Sequence, residues 1–259
     1  MELDPIQQAA QEQFGRRSHR CGAGHVLENV SDVQAAVPWL ELAPGSRVLD
    51  VACGAGHTGL YFASLGHRVT LADSAAPRLE RAKAEAFERG LDVETRRHAA
   101  EELPYAGASF DLVSCRVAAH HFRSPEKFVR ESARVLRVGG RFLLIDGSVE
   151  DGEPEAEAWM HRVEKLRDPS HNRLLTPGAW ARLCEAAGLR VAFAGLHGFK
   201  MPDLESYFES AATPPENRAR VRDLVANAPE AALRVFRVSD EDSSIVWWGQ
   251  RLTLVARKP

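Results

Sequence analysis

From residue 31 onward, short apolar runs alternate with amphipathic stretches in a regular order. Ser31 and Gln34 form a capping-box pattern, and Val33, Ala36, Val37 and Leu40 recur at helical spacing over Asp32–Leu42, which Pro44-Gly45 stops. Arg47–Ala52 reads as a strand, Thr58–Leu65 as a helix closed by Gly66, and Arg68–Ala72 as a second strand. Ala75–Arg89 follows as a helix closed by Gly90, with Asp92–Arg97 as a third strand. After the turn-forming stretch Pro104–Ser109, Phe110–Cys115 is a fourth strand. Ser124 with Pro125 is an N-cap followed by proline in the first turn. The helix it opens is expected to run to about Arg137 and end at Gly139-Gly140, before a fifth strand over Arg141–Asp146. Repeated β-α units predict a parallel sheet covered by helices on both faces.

The rest of the chain predicts a helix over Glu153–Arg167, another opened by Thr176-Pro177 and ending near Gly188, and a strand over Leu189–Ala194. Asp203–Glu209 and Glu216–Leu233 read as helices, and Ile245–Arg257 as a final strand. There is no internal repeat or low-complexity tract. The expectation is one doubly wound α/β domain over residues 31–259, with helical insertions near 147–182 and 198–240. Residues 1–30, rich in Gln, Arg, His and Gly, read as an arm or lid, or as a frayed terminus.

Composition narrows the partners. The 259 residues are 44% hydrophobic and 27% charged, an ordinary globular mixture with length for a sizeable core. The net charge of −3 supplies no global basic field for nucleic acid. Cys21, Cys53, Cys115 and Cys184 are scattered, with no C-x-x-C pair for zinc and no dense disulfide framework. Neither a signal peptide nor an apolar run of about 18 residues occurs. These features point to a cytoplasmic protein with a small-molecule partner and neither nucleic acid nor membrane.

The first strand runs into Cys53-Gly54-Ala55-Gly56-His57-Thr58-Gly59, which satisfies G-x-G-x-x-G at a strand-to-helix turn. That pattern fits a dinucleotide, but also any ligand needing close backbone approach. Asp50 argues against a pyrophosphate and for a ligand with an ammonium or sulfonium charge, unless it only caps the following loop. Asp73 ends the second strand, where an acid accepts hydrogen bonds from both ribose hydroxyls, and it can cap the next helix as well.

Val48-Leu49-Asp50-Val51-Ala52-Cys53-Gly54-Ala55-Gly56, then Asp73, Glu101-Glu102-Leu103-Pro104-Tyr105, Ser109-Phe110-Asp111-Leu112-Val113 and Val135-Leu136-Arg137-Val138-Gly139-Gly140 follow in order. This succession resembles the class I S-adenosylmethionine-dependent methyltransferases, in particular the ubiquinone/menaquinone C-methyltransferase-like group. The resemblance is strong over Gly45–Asp146 and weaker to Pro259. It implies a Rossmann-like seven-stranded sheet of order 3-2-1-4-5-7-6 with the last strand antiparallel, and S-adenosylmethionine as cofactor. It further implies that Gly54, Ala55 and Gly56 admit the methionine portion, that Asp50 faces its amino end, and that Asp73 with Ser74 holds the ribose. Members often carry Asp where this chain has Ala99; here Ala99, Ala100 and Glu101 offer the adenine backbone groups or the Glu101 side chain.

Methyl transfer needs alignment and exclusion of water more than a protein nucleophile, although a histidine base can assist a weakly acidic acceptor. Arg116-Val117-Ala118-Ala119-His120-His121-Phe122 follows the fourth strand at the ligand-binding edge of such sheets. Arg116 is expected to pair with the cofactor carboxylate, and His120 or His121 either faces the methyl group or packs beneath the cofactor. A metal site is not expected, for want of further ligands beside the pair. The polar loop Arg167–Arg173, which contains His171 as a third candidate base, suits recognition of a polar group or is a solvated connection. Trp159, Tyr207, Phe208, Trp247 and Trp248 either line an acceptor pocket or form core. Two other readings share the motifs: displacement of another type on the same cofactor, such as ring closure by its amine releasing methylthioadenosine, and cofactor binding without catalysis.

Overall fold

The computed structural model describes residues 26–241 and 244–259, so the expected arm or lid lies outside the described residues except for 26–30, and Cys21 lies outside them entirely. Five strands run parallel: β1 (Arg47–Val51), β2 (Arg68–Asp73), β3 (Val93–Arg97), β4 (Phe110–Arg116) and β5 (Leu136–Gly147). β6 (Arg190–Lys200) lies at the far edge, β7 (Ser239–Glu241) and β8 (Ser244–Val246) form a separate hairpin, and β9 (Trp248–Arg257) runs antiparallel between β5 and β6. The order β3-β2-β1-β4-β5-β9-β6 is the one expected, once the hairpin is counted apart.

Strand alternation divides the interior between two layers. Val48 of β1 faces Leu60, Phe62 and Leu71, the side covered by α1 (Ser31–Leu40), α2 (His57–Ser64) and α3 (Ala76–Glu88). Leu49 and Val51 face the other side, with Phe128 and Trp180 from α4 (Pro125–Val135) and, beyond α5 (Pro154–Arg167), α6 (Pro177–Ala186). Burial on both faces is why β1 reads as a continuous apolar run rather than an alternating one. No helix joins β3 to β4, and the bare sheet there leaves an open groove of about 620 Å³ bordered by Arg47, Arg68, Thr70, Glu94, Arg96 and Tyr105.

α5, α7 (Leu204–Ala211), α8 (Pro215–Ala226) and α9 (Glu230–Phe236) gather beyond the carboxyl ends of the parallel strands around a third core. Trp159, Tyr207, Phe208 and Trp247 are buried in that core, which settles them as packing residues; Trp248 is half-buried beneath the Arg237 guanidinium. Among the described residues, no helix is long and apolar enough to cross a membrane.

Three local expectations are corrected. Ser31 does not cap α1: Val30 holds the cap position without a side-chain bond, while Asn29 accepts from the Ser31 amide at 2.9 Å and Asp32 from that of Val33 at 2.8 Å. Gly139-Gly140 does not end α4, because β5 already begins at Leu136. Gly139 takes φ +79° within the strand, where its amide donates to Lys258 O at 2.8 Å and the Lys258 amide to Gly140 O at 3.0 Å. The helix expected over 216–233 is two, since Pro229 cannot extend α8 and instead holds the extended cap position of α9. The Ser124 and Thr176 caps form as expected, accepting from the Lys127 and Ala179 amides at 3.2 Å each.

Candidate active site

The glycine loop leaves β1 through Ala52, a non-glycine residue at φ +54°, and reaches α2 through Gly54 at +57° and Gly56 at +87°. A side chain at any of these positions carries backbone strain, and Ala52 retains it at the expected ligand edge. The glycines have different surroundings. A Cβ on Gly54 would have only the Arg78 Nη1 as neighbour, at 3.5 Å, so this position keeps an open side. A Cβ on Gly56 would press on Ala82 at 3.0 Å and Leu71 at 3.3 Å, and one on Gly59 would lie 2.2 Å from a Leu71 methyl. The missing side chain of Gly56 therefore serves the turn and the α2–α3–β2 packing. Ala55, 8% exposed, lies between them.

The strand-end acids hold this loop. Asp50 is 1% exposed; its oxygens accept from the Gly59 amide at 3.0 Å and the Ser114 hydroxyl at 2.8 Å. Burial pushes its carboxyl up to about 7 against those two bonds. Asp50 thus positions the loop through both of its oxygens. Asp73 accepts from the Gly54 amide at 3.0 Å with one oxygen and the Ala75 amide at 2.8 Å with the other. A carboxylate has about four lone-pair sites, so each oxygen retains acceptor capacity for a ribose hydroxyl. Next to it, the Ser74 carbonyl accepts from Arg97 at 3.0 Å. Ala99 and Ala100 are buried, and Glu101 is tied down by the Arg123 amide at 3.0 Å.

Arg116 turns back toward residues 27–32. Its guanidinium, 6% exposed, donates to Asp32 at 3.0 Å, to Leu27 O at 2.8 Å and to Asn29 O at 2.6 Å. Four of its five N–H donors are taken up in fastening residues 27–32 to the end of β4, so its role is to hold that segment on the sheet rather than to present a free fork to a cofactor carboxylate.

The three candidate histidines come together. The ring centroid of His120 lies 4.1 Å from that of His121 and 5.5 Å from that of His171, and His161 of α5 lies 5.5 Å from His171. Asp146, at the end of β5, grips His120 twice, accepting from its amide at 2.7 Å and meeting Nδ1 at 2.6 Å. Burial disfavours the His120 imidazolium, but the charge and hydrogen bond of Asp146, helped by Glu164 and Asp168, outweigh it and raise the pKa above the usual histidine value. With the Nδ1 proton directed at Asp146, Nε2 is the proton-accepting nitrogen. His121 Nδ1 meets Ser170 O at 3.0 Å, and the Ser170 hydroxyl donates to Asp168 at 2.5 Å. The 167–173 loop is no solvated connection: the Asn172 and Arg173 amides both donate to His120 O, at 2.9 and 3.0 Å. Among the described residues, no three His, Cys, Asp or Glu side chains are arranged to hold a metal ion.

Sequence reasoning missed Asp146 and His161. Asp146 obeys the rule that singled out Asp50 and Asp73, an acid at the carboxyl end of a buried strand. His161 carried no comparable signal, because only the tertiary fold brings α5 to this edge.

A seven-stranded sheet of this order, with a glycine loop after β1 and an acid at the end of β2 that holds that loop, defines a class I Rossmann-like methyltransferase fold. Residues 49–144 match the family described as "Methyltransferase domain". The chain is 32% identical over 216 residues to the uncharacterized methyltransferase YcgJ of Bacillus subtilis (strain 168), covering 83% of this chain and 84% of that one. It is 29% identical over 229 residues to 27-O-demethylrifamycin SV methyltransferase of Amycolatopsis mediterranei (strain S699), covering 85% and 80%. The crystal structure of a candidate methyltransferase from Bacillus halodurans C-125 matches with a TM-score of 0.83 at 30% identity, over 88% of this chain and 99% of that one. The chain belongs to the class I S-adenosylmethionine-dependent methyltransferase family, whose cofactor is S-adenosylmethionine.

Proposed function

We propose that the protein transfers the methyl group of S-adenosylmethionine to a hydroxyl of a small-molecule acceptor in the cytoplasm, with His120 as general base. The observation that carries this reading is the 2.6 Å contact between Asp146 and His120 Nδ1, at the sheet edge where the glycine loop and Asp73 also end. The donor set suits the cofactor: Asp73 keeps acceptor capacity for two ribose hydroxyls, and Gly54 has an open side. Ala55 and Ser74 complete this cradle, and the buried Ala100 with Glu101 borders the adenine side. S-adenosylmethionine supplies an electrophilic methyl group on a sulfonium. The chain's own part is to align the acceptor, exclude water and receive the hydroxyl proton at His120 Nε2. The segments 147–182 and 198–240 shape the acceptor side in this reading, as one domain with the sheet. The rifamycin-type relative is named for O-methylation, which agrees with a hydroxyl acceptor.

Product analysis tests the reading. Incubation with S-adenosylmethionine and a library of hydroxylated compounds is expected to yield S-adenosylhomocysteine only when an acceptor is present. Methylthioadenosine formed without an acceptor would instead establish attack on the aminobutyrate chain, and binding without turnover across the library would leave a cofactor-binding protein.

A further inference from the structure

His171 is the most enclosed of the histidines around His120. It is 1% exposed, and its Nε2 has no hydrogen-bond partner in the protein; the Nδ1 of neighbouring His161 is likewise buried without one. Native interiors rarely leave such atoms unsatisfied, so two of them side by side next to a candidate base call for partners from outside the protein, a bound molecule or an ordered water. The rings have fixed positions. His171 stacks on His120 with 29° between their planes, Lys165 Nζ binds Pro169 O at 3.0 Å and His171 O at 2.6 Å, and the two following amides are tied to His120 O.

We propose that His171 and His161 form an oxygen-reading subsite beside His120, and that the acceptor is an uncharged compound with a second hydroxyl or carbonyl oxygen next to the hydroxyl that gives up its proton. This rests on the methyl-transfer reading above. The absence of charge follows from the surroundings. Burial, with His120 and His161 nearby, holds the His171 pKa down to about 4, so its ring is neutral near pH 7 and presents an ordinary donor or acceptor nitrogen. The cations close by are engaged, Arg167 on Glu164 at 2.8 Å, Lys165 on the loop carbonyls and His120, in its protonated form, on Asp146 at 2.6 Å, so an anionic substituent finds no free counter-charge. The carboxylates are engaged too: Asp146 on His120, Asp168 on Ser170, and Glu164 on Arg167 and the Tyr207 hydroxyl, the last at 2.7 Å. A cationic substituent therefore gains nothing in particular.

The test uses three probes on the full-length protein saturated with S-adenosylhomocysteine at pH 7.5: phenol, 1,2-dihydroxybenzene and 2-hydroxybenzoate. Histidine side-chain ¹⁵N shifts are followed by NMR, and affinities are measured by calorimetry. The dihydroxy compound should move the His171 Nε2 resonance and bind roughly three- to tenfold more tightly than phenol, the worth of one net hydrogen bond, whereas the anionic compound should bind less tightly than either. His171→Phe, which keeps a ring but no nitrogen, should bring the dihydroxy-to-phenol ratio to about one, and His171→Gln should recover part of it. An unmoved His171 resonance, no binding of the dihydroxy probe, or a wild-type ratio near one overturns the subsite and leaves water as the partner of these nitrogens. The wild-type spectra decide the matter even if a variant fails to fold. Failure to bind S-adenosylhomocysteine at all would reject the methyl-transfer reading itself, whereas binding with an indifferent His171 rejects the subsite alone.

Discussion

Three carboxylates at strand ends, Asp50, Asp73 and Asp146, have the same position in the sequence pattern and different occupations in the fold. Asp50 holds the Gly59 amide and the Ser114 hydroxyl, Asp73 ties the Gly54 and Ala75 amides, and Asp146 orients His120. In the proposed reading Asp73 accepts from both ribose hydroxyls; Asp73→Ala would then remove two hydrogen bonds, each worth about 0.5–1.5 kcal/mol net, and should weaken S-adenosylmethionine binding roughly 5- to 150-fold by calorimetric titration. It also strips two backbone amides of their acceptor, so the melting temperature should fall in the same variant; unchanged affinity would remove Asp73 from the ribose role. Gly56→Ala gives the opposite emphasis. Its backbone at φ +87° and the 3.0 Å approach to Ala82 place the damage in folding, so the loss should register in urea denaturation. Spacing and residue type showed which side chains reach the sheet edge. They did not show which way a carboxylate turns once there, because that is decided by amides and hydroxyls such as those of Gly59 and Ser114, 9 and 64 residues away.

At the scale of elements, periodicity was legible wherever an element buries one face or both, as in β1 and α4. It failed where pairing with a distant strand decides the boundary. Gly139 reads locally as a helix stop, but Lys258 beyond β9 recruits it into the β5 ladder. Arg116 shows the same limit. Its place at the end of β4 fits an anion site, but Asp32, Leu27 and Asn29 come back from residues 27–32 and take up four of its five donors. Arg116→Ala should therefore act on the attachment of residues 27–32 and α1 to the sheet. It leaves Asp32 only the longer, 3.5 Å pairing with Arg251. Breaking a buried pair of this kind costs about 3–5 kcal/mol, with the lower end apt for a partner that is partly exposed. Chemical denaturation should show that loss, while S-adenosylmethionine affinity, measured well below the unfolding transition, should change no more than about twofold; a tenfold drop in a folded variant would restore Arg116 to the cofactor carboxylate.

At the scale of the whole molecule, the histidine cluster is built from the loop after β4, the end of β5, the helix α5 and the loop behind it, an assembly that no local pattern displays. It also sets the pH response. His120 must be neutral to accept a proton, and Asp146, Glu164 and Asp168 hold its pKa above the usual value of about 6.5 despite burial. The rising limb of kcat/KM against pH should therefore have its midpoint above 6.5. Stability moves the other way: a folded-state pKa above the unfolded one contributes stability that is fully present below about pH 6.5 and is lost as pH rises through the folded value. Asp146→Asn removes the charge but not the burial, so the limb should move to lower pH and the low-pH stability gain should disappear. The plateau should also fall, by about 10²-fold, because an amide at this position no longer fixes the Nδ1 proton and Nε2 is then not reliably the accepting nitrogen. His120→Asn should lose roughly 10²–10⁴ in turnover with cofactor affinity retained. Rate profiles of wild type and Asp146→Asn over pH 5.5–8.5, a window about the reference histidine value, decide the point: a limb at the same pH in both would separate Asp146 from the titrating base, and a flat wild-type profile would leave alignment alone to account for the rate.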